Sequence, residues 1–261
     1  MAKSLTQLGI LGESPIMQRL NQWVQKAAPQ WDTILITGER GTGKELLAHA
    51  IHKLGPTRGG TSALVDCAAL HVATAESVLF GHERGSFTGA VNKHVGLLER
   101  AHEGTLFLDE IGTLSLELQS RFLRFLEERT VQPIGSHIPR KIRTRIIAAT
   151  NRDLEQDVLQ GAFLPDLLDR LNVLNVELPP LRERGEDRWL LIRHFLNEPD
   201  LKRFTSGAVD AIMNYDFPGN IRELLNFCRR LKIFHLDSRV TEADAIQHLG
   251  RTLLQECDPE V

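Results

Sequence analysis

The sequence predicts an α/β fold, a parallel sheet flanked by helices, followed by a small all-helical unit. Three observations carry this: short apolar, β-branched runs recur up to residue 178, segments of helical period lie between them, and past Pro179 only the helical period continues. The runs are TILIT (33–37), ALVD (63–66), TLFLD (105–109), TRIIAAT (144–150) and VLNVEL (173–178). They read as five buried parallel strands, since a strand covered on both faces needs no polar alternation. Between them Leu46, Leu47, Ala50, Ile51 and Leu54, and further on Leu118, Phe122, Phe125 and Leu126, recur at i, i+3, i+4, the spacing of a helix with one buried face. In LPPLRER (178–184) two prolines stop any strand. Residues 1–178 are therefore expected to form the α/β unit and 179–250 the helical one, with 251–261 a tail or cut linker. Helices are expected over 186–197, 206–215, 220–235 and 241–249, the last opened by Thr241 as N-cap.

With 261 residues and 42% hydrophobic content the chain can bury a sizeable core. A net charge of -3 gives no broad basic field, so nucleic acid is not held by charge alone. Cys67, Cys228 and Cys257 are widely spaced and form no CxxC pair, which argues against a disulfide framework and a zinc site. A reducing, cytoplasmic compartment fits that usage. No run of about 18 apolar residues occurs, and MAKSLTQLGI has no apolar h-region, so neither a membrane span nor export is expected. His49 and His52 lie i, i+3 on one predicted helix, but with no third ligand at a suitable spacing they read as surface histidines.

GERGTGKE (38–45) follows the strand TILIT and opens the helix ELLAHAIHKL. In that context the backbone N–H groups of the loop and of the helix N-terminus face one anion, so Gly38, Glu39, Arg40, Gly41, Thr42, Gly43, Lys44 and Glu45 form a candidate phosphate cradle. Lys44 is expected to reach the β- and γ-phosphates. Glu45 stands where the general motif has a hydroxyl residue for Mg²⁺, so the metal is expected elsewhere. Asp109, ending TLFLD, is the candidate, holding Mg²⁺ through water, and Glu110 beside it can orient or deprotonate an attacking water. Asn151, after TRIIAAT, can sense the γ-phosphate or that water if its strand neighbours the strand of Asp109. GHERGSFTGA (81–90) has no strand or helical period and holds a single apolar ring, Phe87, between Gly85 and Gly89, which permit a bend.

In order, GERGTGKE, LFGHERGSFTGA, GTLFLDE, AATNRDL, LLDRLNV, LPPLRER and FPGNIREL resemble the central AAA+ ATPase domain of bacterial enhancer-binding proteins, the activators of sigma-54 RNA polymerase. The likeness covers about residues 8–250, and the GxFTGA motif is confined almost entirely to that family. The resemblance implies a ring-forming, usually hexameric ATPase with an α/β subdomain, a helical lid, and Mg²⁺-ATP bound between subunits. It implies that Asn151 is a first sensor, that Arg222 reaches ATP from the lid, and that Ile10 and Leu11 lie near the adenine. Gly85, Ser86, Phe87, Thr88, Gly89 and Ala90 would contact sigma-54, with VQPIGSHIPRK (131–141), stiffened by Pro133, as a second pore loop beside them. Glu45 is ordinary for this family.

Three positions depart from the family pattern. Asp66, in VDCAAL, replaces an Asn that in many members holds the glutamate after the neighbouring strand; a carboxylate has no amide to donate and repels an ionised Glu110. FLPDLLDRL has Leu164 where the first of two arginines offered to the next subunit stands, and keeps the second as Arg170, the expected finger. Ser86 replaces the usual Ala and is expected to leave the loop tip intact.

The function expected is an Mg²⁺-ATP-driven ring that remodels sigma-54 holoenzyme for open promoter complex formation. One alternative is an AAA+ remodeller of another target, against which the GSFTGA segment counts. The other is an ATP-binding regulatory module without productive turnover, for which Asp66 and Leu164 speak. Few residues precede the core and too few follow Gly250 for a helix-turn-helix, so DNA contact is expected only through a module outside this sequence. Either the sequence is a piece of a longer chain or a separate protein regulates it in trans.

Overall fold

A computed structural model describes residues 5–197, 202–235 and 238–249; the expected tail, 251–261, lies outside them. In chain order the elements are α1 (Pro15–Ala27), β1 (Ile34–Thr37), α2 (Lys44–Leu54), β2 (Ser62–Asp66), α3 (Val72–Phe80), α4 (Leu97–Arg100), β3 (Thr105–Asp109), α5 (Leu116–Glu128), β4 (Thr130–Val131), β5 (Arg140–Lys141), β6 (Arg145–Thr150), α6 (Leu154–Leu159), α7 (Pro165–Leu171), β7 (Leu174–Glu177), α8 (Asp187–Leu196), α9 (Ser206–Asn214), α10 (Asn220–Phe234) and α11 (Glu242–His248). They form two compact units. The first comprises the residues up to Leu8, Leu20–Gly38 and Lys44–Leu178; the second comprises Gly9–Arg19, Glu39–Gly43 and the residues from Pro179 onward.

In the first unit five parallel strands run in the order β2-β3-β6-β1-β7, and β4 pairs antiparallel with β5. β6 is buried at every position, as RIIAAT requires of a central strand. β2 and β7, the two edge strands, are the exceptions to the buried-strand expectation. β2 alternates, with Ala63 and Val65 inward and Leu64 half exposed, and in β7 only Val176 is buried.

Leu35, Leu106, Leu108, Ile146, Phe122, Phe125 and Leu167 share one core, each large side chain contributing about 1.5–3 kcal/mol by leaving water. α5 begins where the Ser115 side chain accepts from the Leu118 N–H and ends on Arg129 in the left-handed region.

Two expectations for α2 need correction. Leu46 is exposed, because the buried face of the helix is formed by Lys44, Leu47, Ala48, Ala50, Ile51 and His52. His52 is no surface histidine: it is 6% exposed, its Nδ1 lies 2.9 Å from Thr105 Oγ1, and that hydroxyl lies 2.6 Å from Thr57 Oγ1. Beside it Arg145 is fully buried, its guanidinium donating to the carbonyls of Ala27 and Ile51 near the C-terminal ends of α1 and α2, where the helix dipole favours a cation.

The second unit is built on Leu191, Ile192, Phe204, Ala208, Phe217, Leu224, Phe227 and Leu231. Among the described residues α8, α9, α10 and α11 match the expected spans to within a residue at each end. Thr241 caps α11 as expected, in a reciprocal capping box with Asp244. Asp187 accepts from the N–H groups of Glu13 and Ser14 and from the Ser14 hydroxyl, at 2.7, 3.0 and 2.6 Å. These bonds bring the segment before α1 into this unit. Among the described residues no helix is long and apolar enough to cross a membrane.

Candidate functional site

The sheet order places three sequence features side by side. β6 lies between β3 and β1, so Asn151, Asp109 and the turn into Gly38 all lie at the C-terminal ends of adjacent strands, where open α/β sheets bind ligands. Lys44, the first residue of α2, is 7% exposed, and its Nζ donates to the Gly38 carbonyl at 2.9 Å. Glu45 is exposed in the first turn.

Asp109 is half-buried. Burial pushes its carboxyl above the ordinary range, and the neighbouring Glu110 pushes it further; the Glu110 N–H, 3.1 Å away, and Lys44 pull it back, and Asp66 adds a smaller push upward. A desolvated carboxylate beside another acid is a group that a divalent cation would relieve, so the residues fit Mg²⁺. Glu110 adopts φ 52, ψ 47, in the left-handed region, a conformation costing about 1 kcal/mol or more for a residue with a side chain. Its Oε2 accepts the backbone N–H of Asn151 at 3.3 Å, and its carbonyl accepts the Thr113 hydroxyl at 2.7 Å.

Asp66 is the register partner of Asp109. Its Oδ1 accepts the Ala68 N–H at 3.0 Å, capping the turn Cys67–Ala69, so the carboxylate is committed to its own backbone. Burial and the surrounding carboxylates push the Cys67 thiol up to about 12, which leaves it unreactive.

Arg170, in the last turn of α7, is exposed, with Nη2 3.7 Å from Glu127 Oε1. Leu164, just before that helix, packs its side chain against the core and donates its N–H to Gln119 Oε1 at 2.9 Å. Gln119 is fully buried and also donates to the carbonyls of Leu114 and Ala162. Its role escaped the sequence reading because one polar residue on an apolar helix face gives no periodic signal.

In the GSFTGA loop Gly85 and Gly89 both take positive φ, and Phe87 is 45% exposed. One side of the Phe87 ring meets the His82 ring edge-on at 4.9 Å. His82 is itself fixed, its Nδ1 2.6 Å from Ser77 Oγ and its Nε2 2.9 Å from the Asn92 carbonyl. Ser86 and Thr88 flank the ring, and Ala90 is buried. The 131–141 segment does lie against this loop: Glu83 N–H donates to Ile134 O and Ile134 N–H to Gly81 O, each at 3.0 Å. Arg140 forks between Glu99 and Glu83 at 2.5 and 2.7 Å.

The remaining candidate residues belong to the second unit. Ile10 is buried, Leu11 packs against that unit's core, and Arg222 lies in the first turn of α10. The stretch Glu39–Gly43 is bonded to residues after Pro179, among them Arg182, Arg184 and Asn220, to which the sequence reading gave no individual role.

Strand order, loop placement and the helical unit that follows in the chain make this a P-loop ATPase fold of the AAA+ class. Residues 10–177 match the family described as the Sigma-54 interaction domain, and residues 182–258 match the AAA+ ATPase lid domain. The DNA-binding transcriptional regulator NtrC of Azospirillum brasilense is 47% identical over 230 residues, 86% of this chain and 48% of NtrC. The transcriptional regulatory protein ZraR of Salmonella typhimurium is 44% identical over 247 residues, 92% of this chain and 56% of ZraR. Among solved structures, NtrX from Brucella abortus in complex with ATP superposes with a TM-score of 0.81 at 33% identity, covering 90% of this chain and 57% of NtrX. The chain belongs to the sigma-54 interaction domain family, the AAA+ domain of bacterial sigma-54-dependent transcriptional activators. It spans about half the length of these relatives.

Proposed function

We propose that the protein hydrolyses Mg²⁺-ATP in a homo-oligomeric ring and uses the reaction to remodel the sigma-54 RNA polymerase holoenzyme, allowing the open promoter complex to form. The observation that carries the reading is Phe87, exposed at the tip of the GSFTGA loop in the same unit as Lys44, Asp109 and Glu110. NtrX of Brucella abortus, solved with ATP and with ADP, supports nucleotide as the ligand.

In this reading Lys44 and the loop N–H groups hold the phosphates, and Asp109 would hold Mg²⁺, which when bound would supply positive charge against the phosphoryl oxygens. Glu110 takes the proton of the attacking water, with Asn151 fixing its carboxylate. Arg170, exposed on its own subunit, serves the ATP of a neighbour. Arg222 acts from the lid, and Ile10 and Leu11 face the adenine. Residues 85–90 contact sigma-54.

The test is trapping with an ATP transition-state mimic and a native gel against purified sigma-54. The parent protein should give a trapped complex that Phe87→Ala loses. A parent that forms rings and binds nucleotide yet traps no sigma-54 overturns the reading.

One second reading has an observation of its own. Leu164 is packed on the core where an arginine would be offered outward, which favours a module that binds ATP and acts by contact without turnover. Phosphate release that rises steeply with protein concentration, as rings form, excludes it; flat, negligible release with intact ATP binding favours it.

A further inference from the structure

Four consecutive residues of the phosphate loop offer acceptors that residues after Pro179 satisfy. The Glu39 carboxylate takes both Nη groups of Arg182, at 2.6 and 3.0 Å, and Asn220 Nδ2 at 3.1 Å. The Arg40 carbonyl takes Asn220 Nδ2 at 3.0 Å, the Gly41 carbonyl takes the Ile221 N–H at 3.0 Å, and the Thr42 carbonyl takes Arg184 Nη2 at 3.1 Å. Asn220 is fully buried and holds a left-handed backbone at φ 54, and its Oδ1 accepts the Leu181 N–H at 2.8 Å. A buried, conformationally strained Asn with both ends of its amide engaged fixes whatever it touches.

The peptide plane turns these bonds into an effect on the ligand side. In a trans peptide the carbonyl of one residue and the N–H of the next point in opposite directions. Bonds that fix the carbonyls of Arg40, Gly41 and Thr42 therefore also fix the N–H groups of Gly41, Thr42 and Gly43, the donors a phosphate loop turns toward its anion. Glu39, a carboxylate within a loop that binds phosphate, is neutralised by the Arg182 fork.

We propose that Glu39, Arg182 and Asn220 form a latch in which the segment after Pro179 grips the outer arm of the phosphate loop and aims its N–H groups at the phosphates. Arg182 and Asn220 are positioning residues that act through the loop backbone. The inference rests on the nucleotide-binding reading and adds a link that runs through the protein itself.

The test uses Glu39→Gln, Arg182→Ala, Arg182→Lys and the double variant Glu39→Gln/Arg182→Ala. Both side chains are about two-fifths exposed, so folding is not at stake. Without nucleotide, amide hydrogen exchange at 41–43 should quicken in Arg182→Ala. With a non-hydrolysable ATP analogue and Mg²⁺, Kd should rise about fivefold in either single variant, the order expected for losing a charge-assisted pair. The double variant should be no worse than Arg182→Ala, and Arg182→Lys, which lacks the fork, should lie between Arg182→Ala and the parent. During turnover the loss should fall on KM for ATP more than on kcat. Parent-like exchange at 41–43 in Arg182→Ala, or additive losses in the double variant, overturns the latch. A parent that binds no nucleotide overturns the ATPase reading alone, since exchange in the nucleotide-free protein still judges the latch.

Discussion

The backbone N–H of Asn151 donates to the Glu110 carboxylate at 3.3 Å, so the residue that follows β6 holds the acid that follows β3. The bond requires only an acceptor oxygen, which an amide side chain also supplies. Glu110→Gln is therefore expected to keep the local geometry and ATP affinity while removing the base. Phosphate release should fall by about a hundredfold or more, the usual contribution of a positioned general base. Turnover within a few-fold of the parent would remove Glu110 from that role.

Arg170 has its side chain in solvent and, among the described residues, a long ion pair to Glu127, so little on its own subunit depends on it. Arg170→Ala should lower phosphate release roughly a thousandfold under ring-forming conditions and leave nucleotide Kd unchanged. Because the finger serves a neighbour, mixing Arg170→Ala with Glu110→Gln subunits should restore part of the turnover: some sites in the mixed ring keep an intact Glu110 and receive an intact Arg170. If mixing restores nothing, Arg170 does not act across an interface.

Much of this was legible in the sequence, and the remainder was hidden for identifiable reasons. β1, β3 and β6 are buried on both faces, so their apolar runs announced them, and Lys44, Asp109 and Asn151 follow directly from those runs. β2 and β7 were read as buried because the apolar residues of ALVD and VLNVEL do not by themselves tell an edge strand from a central one; edge position depends on which strands pair, and no local run encodes pairing. His52 misled because its burial is decided by Thr57 and by Thr105, 53 residues away. The grip of Arg182 and Asn220 on Glu39 spans 143 and 181 residues, a pairing that no local pattern in LPPLRER or FPGNIREL encodes.

A Cβ at Gly135 would lie 2.5 Å from the Ser86 Cβ, so Gly135→Ala must displace the GSFTGA loop or its own segment, and φ 78 at Gly135 adds strain. Lys44, Asp109 and Glu110 are untouched by that change. Gly135→Ala is expected to weaken the trapped sigma-54 complex while ATP binding persists; an unchanged complex would show that this contact does not set the tip. Ser86 Oγ is buried without a hydrogen-bond partner among the described residues. Ser86→Ala should therefore raise stability by about 1 kcal/mol, read from a urea midpoint.

Acid should destabilise the first unit through His52. Burial holds its imidazole below the ordinary value, and the charges of His49, Arg145 and Lys53 act in the same direction. The unfolded chain protonates this ring as pH falls through about 6.5, while the folded chain keeps it neutral to lower pH. In that window the unfolded state binds more protons, so stability falls with pH, by at most about 1.4 kcal/mol per unit from one group. His248 is shifted downward as well, by burial first and then by His235 and Arg230, with Asp244 opposing, so it adds to the same trend. His52→Asn should flatten the decline in urea midpoint between about pH 6.5 and 5.5 relative to the parent. His248→Asn, in the other unit, should remove a separate part of it. A parent whose midpoint does not fall over that range, or a His52→Asn variant that tracks the parent throughout, would mean that burial of His52 carries no such penalty.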